Sequence, residues 1–268
     1  MKKPFCLLRN TLFGLVLSTV VFNAQAELYD DGLMAYTSGN FAKAGELFMT
    51  AAEKGNPGAE HMLMRLLTEG KLQAADMDKE ILKWTRKAAE NGIQQAQFQL
   101  AEIYAKKQGD VKQAIQWYRL AADQNHPAAY YELGEIFKKG AKDLAADTQI
   151  STRMYQIAAS EFDVYAQKGN PEYQYALAGM YQHAKGVSKN MRLAVKWMAK
   201  SAQQGHVLAQ LDLGLLYAKG VYVTRDINEA RHWLNLAAAH GTSVASTSAN
   251  NMLEKLNQGE DATLAFAH

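Results

Sequence analysis

Helix-ending residues recur along this chain at Gly55, Gly92, Asn125, Gly169, Gly205 and Gly241, at intervals of 37, 33, 44, 36 and 36 residues. Glycine and asparagine are the residues that most readily accept the left-handed backbone closing a helix. Measured back from these points, Trp84, Trp117, Trp197 and Trp233 each fall eight residues before the turn. Pro57, Pro127 and Pro171 each fall two residues after it, where a missing N–H costs nothing in the first turn of the next helix. Two unrelated residue types in one register define a repeated unit, and such a unit buries its apolar face only against its neighbour.

The rest of the unit follows the same register. Small pairs precede the turns: Ala51-Ala52, Ala88-Ala89, Ala121-Ala122 and Ala237-Ala238, with Tyr165-Ala166 and Ser201-Ala202 as variants. Ala44, Ala114, Ala158, Ala194 and Ala230 stand eleven residues before a turn, with Ile81 once in their place. These residues let two helix backbones approach, and the tryptophans are expected to fill the adjoining space. Trp117→Ala should then cost about 3–5 kcal/mol. After the turns, stripes such as Ala129, Leu133, Gly134 and Phe137, or Ala209, Leu213, Gly214 and Tyr217, lie on one face of a helix. Each unit therefore reads as a pair of antiparallel helices.

The pattern running from Ala209, Leu213, Gly214, Tyr217 and Gly220 to Ala230, Trp233, Ala237, Ala238 and Gly241 resembles the Sel1-like repeat, a relative of the tetratricopeptide repeat. The resemblance covers roughly residues 28–241. It implies an all-α fold, a right-handed α/α superhelical solenoid of about six helix pairs. The first pair, with Gly32, Phe41, Ala44, Phe48, Ala51 and a Ser38-Gly39-Asn40 turn, is more tetratricopeptide-like. Residues 243–257 read as a capping helix and 258–268 as a loose tail, so the solenoid is expected over 27–257. Many secreted members staple each repeat with a disulfide, and this chain has one cysteine.

That cysteine belongs to a separate segment. Lys2, Lys3 and Arg9 precede an uncharged run from Thr11 to Phe22 and then Ala24-Gln25-Ala26, the layout of a secretory signal peptide. The run is too short for a spanning helix, which needs about 20 apolar residues. Cleavage after Ala26 is expected, with export to the periplasm or beyond. Of 29 Lys+Arg and 27 Asp+Glu, removal takes three basic residues and no acid, leaving a net charge of −1. A near-neutral chain gives no footing for nucleic acid.

The 44-residue interval between Asn125 and Gly169 departs from the pattern, with Glu161 at the tryptophan site. Asp147 is placed to cap a long helix reaching about Lys168. The extra residues read either as a tolerated insertion or as a partner-specific surface.

Motifs of chemistry are lacking. His61, His126, His183, His206, His232, His240 and His268 include no i, i+4 pair and no H-E-x-x-H pattern. His126 and His206 occupy equivalent turns and are expected to be solvated. No nucleophile elbow or phosphate-binding glycine loop occurs, so the chain is expected to be no enzyme and to need no cofactor or metal.

The tetratricopeptide register implies a groove lined by the first helix of each pair. Its inward positions are His61, Phe98, Tyr131, Tyr175 and Leu211, beside Arg65, Glu102, Glu135, Lys138 and Gln182. Amphipathic rings with polar neighbours suit a protein- or peptide-binding surface; the same rings could instead pack on the next repeat. The family resemblance implies a non-enzymatic scaffold, adaptor or regulator, monomeric or weakly oligomeric, with a protein or peptide partner. The alternatives are a secreted host-interaction factor, or a protein that binds or hydrolyses cell-wall glycan or peptide, for which Glu102 and Glu135 are the paired acids.

Overall fold

The computed structural model describes residues 26–142, 144–240 and 244–258. All of the expected signal peptide (residues 1–26) but Ala26, the turn at Gly241 and nearly all of the tail lie outside the described residues. Two compact units divide between His126 and Pro127.

The first unit holds α1 (residues 26–37), α2 (Phe41–Glu53), α3 (Pro57–Thr68), α4 (Met77–Glu90), α5 (Gln94–Glu102) and α6 (Val111–Asp123). A π-helical segment, Ile103–Gln108, continues α5 to Gly109, whose φ of 68° ends it. The second unit holds α7 (Pro127–Lys139), α8 (Thr148–Gln167), α9 (Pro171–His183), α10 (Met191–Gln203), α11 (Val207–Lys219), α12 (Ile227–Ala238) and α13 (Val244–Asn257). From α2 onward, consecutive helices pack on one another within each unit, as short connections require.

The expected turns form. Gly55, Gly92, Asn125, Gly169 and Gly205 all have φ between 63° and 92°. The following residue donates its N–H to a carbonyl of the previous helix: Asn56 to Ala51, Ile93 to Ala88, His126 to Ala121, Asn170 to Tyr165 and His206 to Ser201. This pattern satisfies carbonyls that a helix end would otherwise orphan. At the opposite ends, Asn40, Asp76, Asp110, Asp147, Asn190 and Asp226 cap α2, α4, α6, α8, α10 and α12 through their side chains. Asp147 starts the long α8 as its sequence position indicates.

The tryptophan expectation needs correction. Trp84 is 1% exposed, whereas Trp117, Trp197 and Trp233 are only half-buried. The next residue along carries the core instead: Phe48, Thr85, Tyr118, Phe162, Met198 and Leu234 hold equivalent positions and all are buried. The tryptophans lie at the edge of that row, where the indole N–H of Trp84 and of Trp233 reaches a carboxylate one turn back, Glu80 and Glu229. A full-burial loss of about 3–5 kcal/mol therefore belongs to Trp84→Ala and not to Trp117→Ala. The absence of tryptophan at Glu161 is equally explained, since Phe162 beside it supplies the core.

The added length of α8 is absorbed inside the second unit. Ser151 Oγ donates to the Gly134 carbonyl at 2.8 Å. A Cβ on Gly134 would stand 2.7 Å from the Tyr155 ring, and one on Gly186 would stand 2.3 Å from the Tyr155 carbonyl. Gly186 also has φ +69°, so the connection after α9 crosses α8 at a distance only glycine permits.

Candidate functional site

The rings at the expected inward positions are junction residues before they are surface. In the first unit Phe98 stacks on His126 with centroids 4.3 Å apart and leans on Tyr118 at 5.5 Å. In the second, Tyr175 lies 4.6 Å from the His206 ring. The two histidines are held alike: His126 Nε2 is 3.2 Å from Gln95 Oε1 and His206 Nε2 is 3.0 Å from Glu172 Oε2. His126 is buried, with its charged form disfavoured chiefly by that burial, and the His206 side chain is 8% exposed. The expectation that these histidines are solvated is thus corrected: each is drawn inward by a ring three positions beyond the residue that binds its Nε2. His206 also caps α11, its Nδ1 accepting from the Ala209 N–H.

A second register, buried and polar, escaped the sequence reading. Gln97, Gln174 and Gln210 donate to the carbonyls of Ala89, Ala166 and Ala202 in the preceding helix. The turn residues Gln124 and Gln204 donate to Gln97 Oε1 and Gln174 Oε1, and Asn91 donates to Glu60 Oε2 at the equivalent place. Among the described residues Gln210 Oε1 has no partner, and His240 stands in the position that Asn91, Gln124 and Gln204 hold in their turns. The signal was available as Glu or Gln five residues after four of the turn residues, at 60, 97, 174 and 210.

Tyr131 sits at the junction altered by the insertion. Its ring lies 5.6 Å from Tyr155 and 6.2 Å from Phe162. Lys185 stands 4.6 Å from its centroid, and donates to both its hydroxyl and Glu135. Tyr155 donates to the same Glu135 oxygen, and Lys139 pairs with the other at 3.2 Å. Burial alone would push Glu135 up, but the hydrogen bonds from Lys185 and Tyr155 outweigh it and hold the carboxyl at about 2. Burial would likewise lower Lys185, and Glu135 and Tyr131 raise it instead. Burial and Glu135 push the Tyr155 hydroxyl upward.

Tyr131, Tyr175 and Gln182 meet around one cavity of about 400 Å³, shared with Phe162, Gly179 and Asp212. Tyr175 donates to Asp212 Oδ2 at 2.8 Å. Burial pushes the Asp212 carboxyl up, against the pull of that hydrogen bond and of His206. The other expected residues lie apart from this cavity. Lys138 is exposed, Leu211 packs into the core beneath α12 and α13, and Glu135 is locked in its ion pairs. In the first unit Arg65 Nε donates to Glu69 at 2.6 Å. His61 is half-buried, its charged form disfavoured by burial and by Arg65. Glu102 pairs with Lys106 and lines a separate cavity of about 320 Å³ beside Thr85 and Gln99. Glu102 and Glu135 thus belong to different units, and a carboxyl held at about 2 is a poor general acid near neutrality.

Among the described residues, no group of three or more His, Cys, Asp or Glu is placed to hold a metal ion. Nor is any helix there long and apolar enough to cross a membrane.

A family model described as the Sel1 repeat matches residues 24–56, 82–93, 94–126, 127–161, 171–206 and 207–242. Among solved structures, the chain is similar to c5321, described as a protective antigen present in uropathogenic Escherichia coli strains and displaying an SLR fold. That match has 29% identity and a TM-score of 0.64, over 90% of this chain and 52% of that one. It is also similar to a Sel1 repeat protein from Oxalobacter formigenes, with 30% identity and a TM-score of 0.60, over 87% of this chain and 66% of that one. The chain therefore spans about half the first of these structures and just under two thirds of the second. No curated protein matches the sequence.

Proposed function

The chain belongs to the Sel1 repeat family, an all-α solenoid fold commonly used for protein interaction, and from that premise we propose that it is an exported, non-catalytic scaffold. It holds a partner polypeptide against the faces of α7, α9 and α11. The observation that carries this reading is the cavity on those faces, walled by Tyr131, Phe162 and Tyr175 and edged by Gln182. Amphipathic rings around a concave, half-open site are what a protein surface uses to anchor a partner. Export rests on the basic, apolar and small-residue layout of residues 1–26. It fits the similarity to a protein described as a protective antigen.

A photo-crosslinking residue placed at Gln182 in growing cells tests the reading, with Lys196, exposed on α10, as the control position. A polypeptide is expected to be captured at 182 and not at 196, in the exported fraction. Equal capture at both, or capture at neither, contradicts a groove that binds protein, and recovery from the cytoplasm alone contradicts export.

A further inference from the structure

Two residues in the cavity of the second unit are unexplained by the packing of the repeat. The first is Asp212 on α11, half-buried, accepting a hydrogen bond from Tyr175 and, among the described residues, pairing with no cation within salt-bridge distance. Taking a carboxylate partly out of water is unfavourable when no cation pairs with it directly, and burial raises its pKa against the pull of Tyr175 and His206. The second is Gly179 on α9. Glycine in mid-helix is destabilising relative to alanine. It is usually retained where another backbone or side chain leaves no room, as Tyr155 does at Gly134. At Gly179 an added Cβ would meet nothing within 4 Å. The equivalent positions in the other repeats carry Arg65, Glu102, Glu135 and Leu215. The missing side chain keeps space open in a cavity whose lining includes Asp212.

The electrostatics of that space point one way. Lys185 packs on the Tyr131 ring and His206 on the Tyr175 ring, yet neither lines the cavity. Lys185 is matched by Glu135 and His206 by Glu172. His183 is the other titratable side chain in the lining besides the tyrosines and Asp212, and it is exposed. A carboxylate among aromatic walls attracts cations, through its charge and through the electron-rich ring faces. It repels anions, and a neutral chain gains only from the rings. At about 400 Å³ the space is also within the range of pockets that enclose small groups, roughly 300–1,000 Å³.

We propose that the cavity bounded by Tyr131, Phe162, Tyr175, Gly179 and Asp212 receives a cationic side chain, lysine or arginine, presented by the partner polypeptide. This rests on the reading that the second unit's groove holds a polypeptide, and it specifies the chemistry recognised there. Asp212 neutralises the incoming charge, Tyr175 orients the carboxylate through its hydroxyl, and the absent side chain at 179 admits the aliphatic stem.

The test uses the full chain and three probes: N-acetyl-lysine N-methylamide, its arginine counterpart and the neutral isostere N-acetyl-norleucine N-methylamide. Binding is followed by amide chemical shifts. A cationic probe is expected to shift signals on α9 and α11, with at least fivefold tighter binding than norleucine. Asp212→Asn should bring it to the norleucine level, and Gly179→Leu should abolish binding while the folded spectrum is retained. Equal binding of the norleucine probe, binding unchanged in Asp212→Asn, shifts confined to other helices, or binding of no probe overturns the assignment. A polypeptide captured at position 182 while the cationic probes fail removes the cation assignment and leaves the groove reading standing. Probe binding without any captured polypeptide does the reverse.

Discussion

The junction at Tyr175 and the junction at Tyr131 solve the same problem by different means. At Tyr175 the repeat supplies everything. His206 from the next turn lies tilted against the ring, Glu172 holds the histidine, and Gln174 and Gln204 link the helices. The first unit does likewise at Phe98, with His126, Gln95, Gln97 and Gln124 in the same places. At Tyr131 the longer α8 has displaced that arrangement: Asn170 stands where the histidine would, and Lys185, Glu135 and Tyr155 close the gap with a half-buried ionic network. A periodic junction is held by residues that recur, whereas an interrupted one relies on contacts particular to it. The second kind should therefore be the more sensitive to single changes, to charge and to pH.

The largest effect is expected where the insertion's path is tightest. Gly186→Ala forces a side chain into the Tyr155 carbonyl at a positive φ and should cost about 3 kcal/mol or more, read as a lowered denaturation midpoint. If the midpoint is unchanged, α8 and the connection after α9 do not meet as described. Next comes the ionic network. Glu135→Ala leaves Lys185 without its carboxylate and should cost about 2–3 kcal/mol. The Glu135→Ala, Lys185→Met double variant should recover part of that loss. A double variant worse than the single would mean that the pair does not act as a unit.

The same network sets the response to acid. The folded value of Glu135 lies below its ordinary 4.5, at about 2, so its contribution is complete above 4.5 and is lost as pH falls toward 2. Asp212 has the opposite sign. Its folded value is raised, so ionising it opposes folding, and that penalty is relieved as pH falls through its raised value. Melts between pH 6 and about 2 should show a loss that Glu135→Ala reduces and that Asp212→Asn leaves steeper. The smallest effect belongs to the periodic junction: His206→Ala removes one ring contact and one cap, about 1 kcal/mol. A cost there exceeding that of Glu135→Ala would invert the comparison.

Much of the fold was legible because turn residues, prolines and small pairs report backbone geometry directly. Gly92 closes α4 and Pro127 opens α7 whatever packs around them, and Asp147 announces α8 by its capping oxygen. The core was less legible at Thr85, Tyr118, Phe162 and Met198, since packing there demands burial and not one residue type. The recurrent tryptophan beside them marked the register more clearly than the centre. The candidate site was partly legible. Tyr131, Tyr175 and Gln182 share a cavity, whereas Lys138, Leu211 and Glu135 belong to the groove only by the tetratricopeptide register, which implies a face but not its neighbours. Asp212, Gly179 and Lys185 had no recurring signal, because they matter through what the insertion and the open space place beside them.

On the proposed function, the rings at the inward positions hold the junctions while the open cavity edge recognises the partner. The affinity of the captured polypeptide for Gln182→Ala and for Lys196→Ala, measured alongside the melting midpoint of each variant, tests it most directly. Unchanged midpoints are expected for both, with affinity lowered at least tenfold in Gln182→Ala alone. Unchanged affinity in Gln182→Ala, or an affinity loss matched by a fallen midpoint, would contradict it.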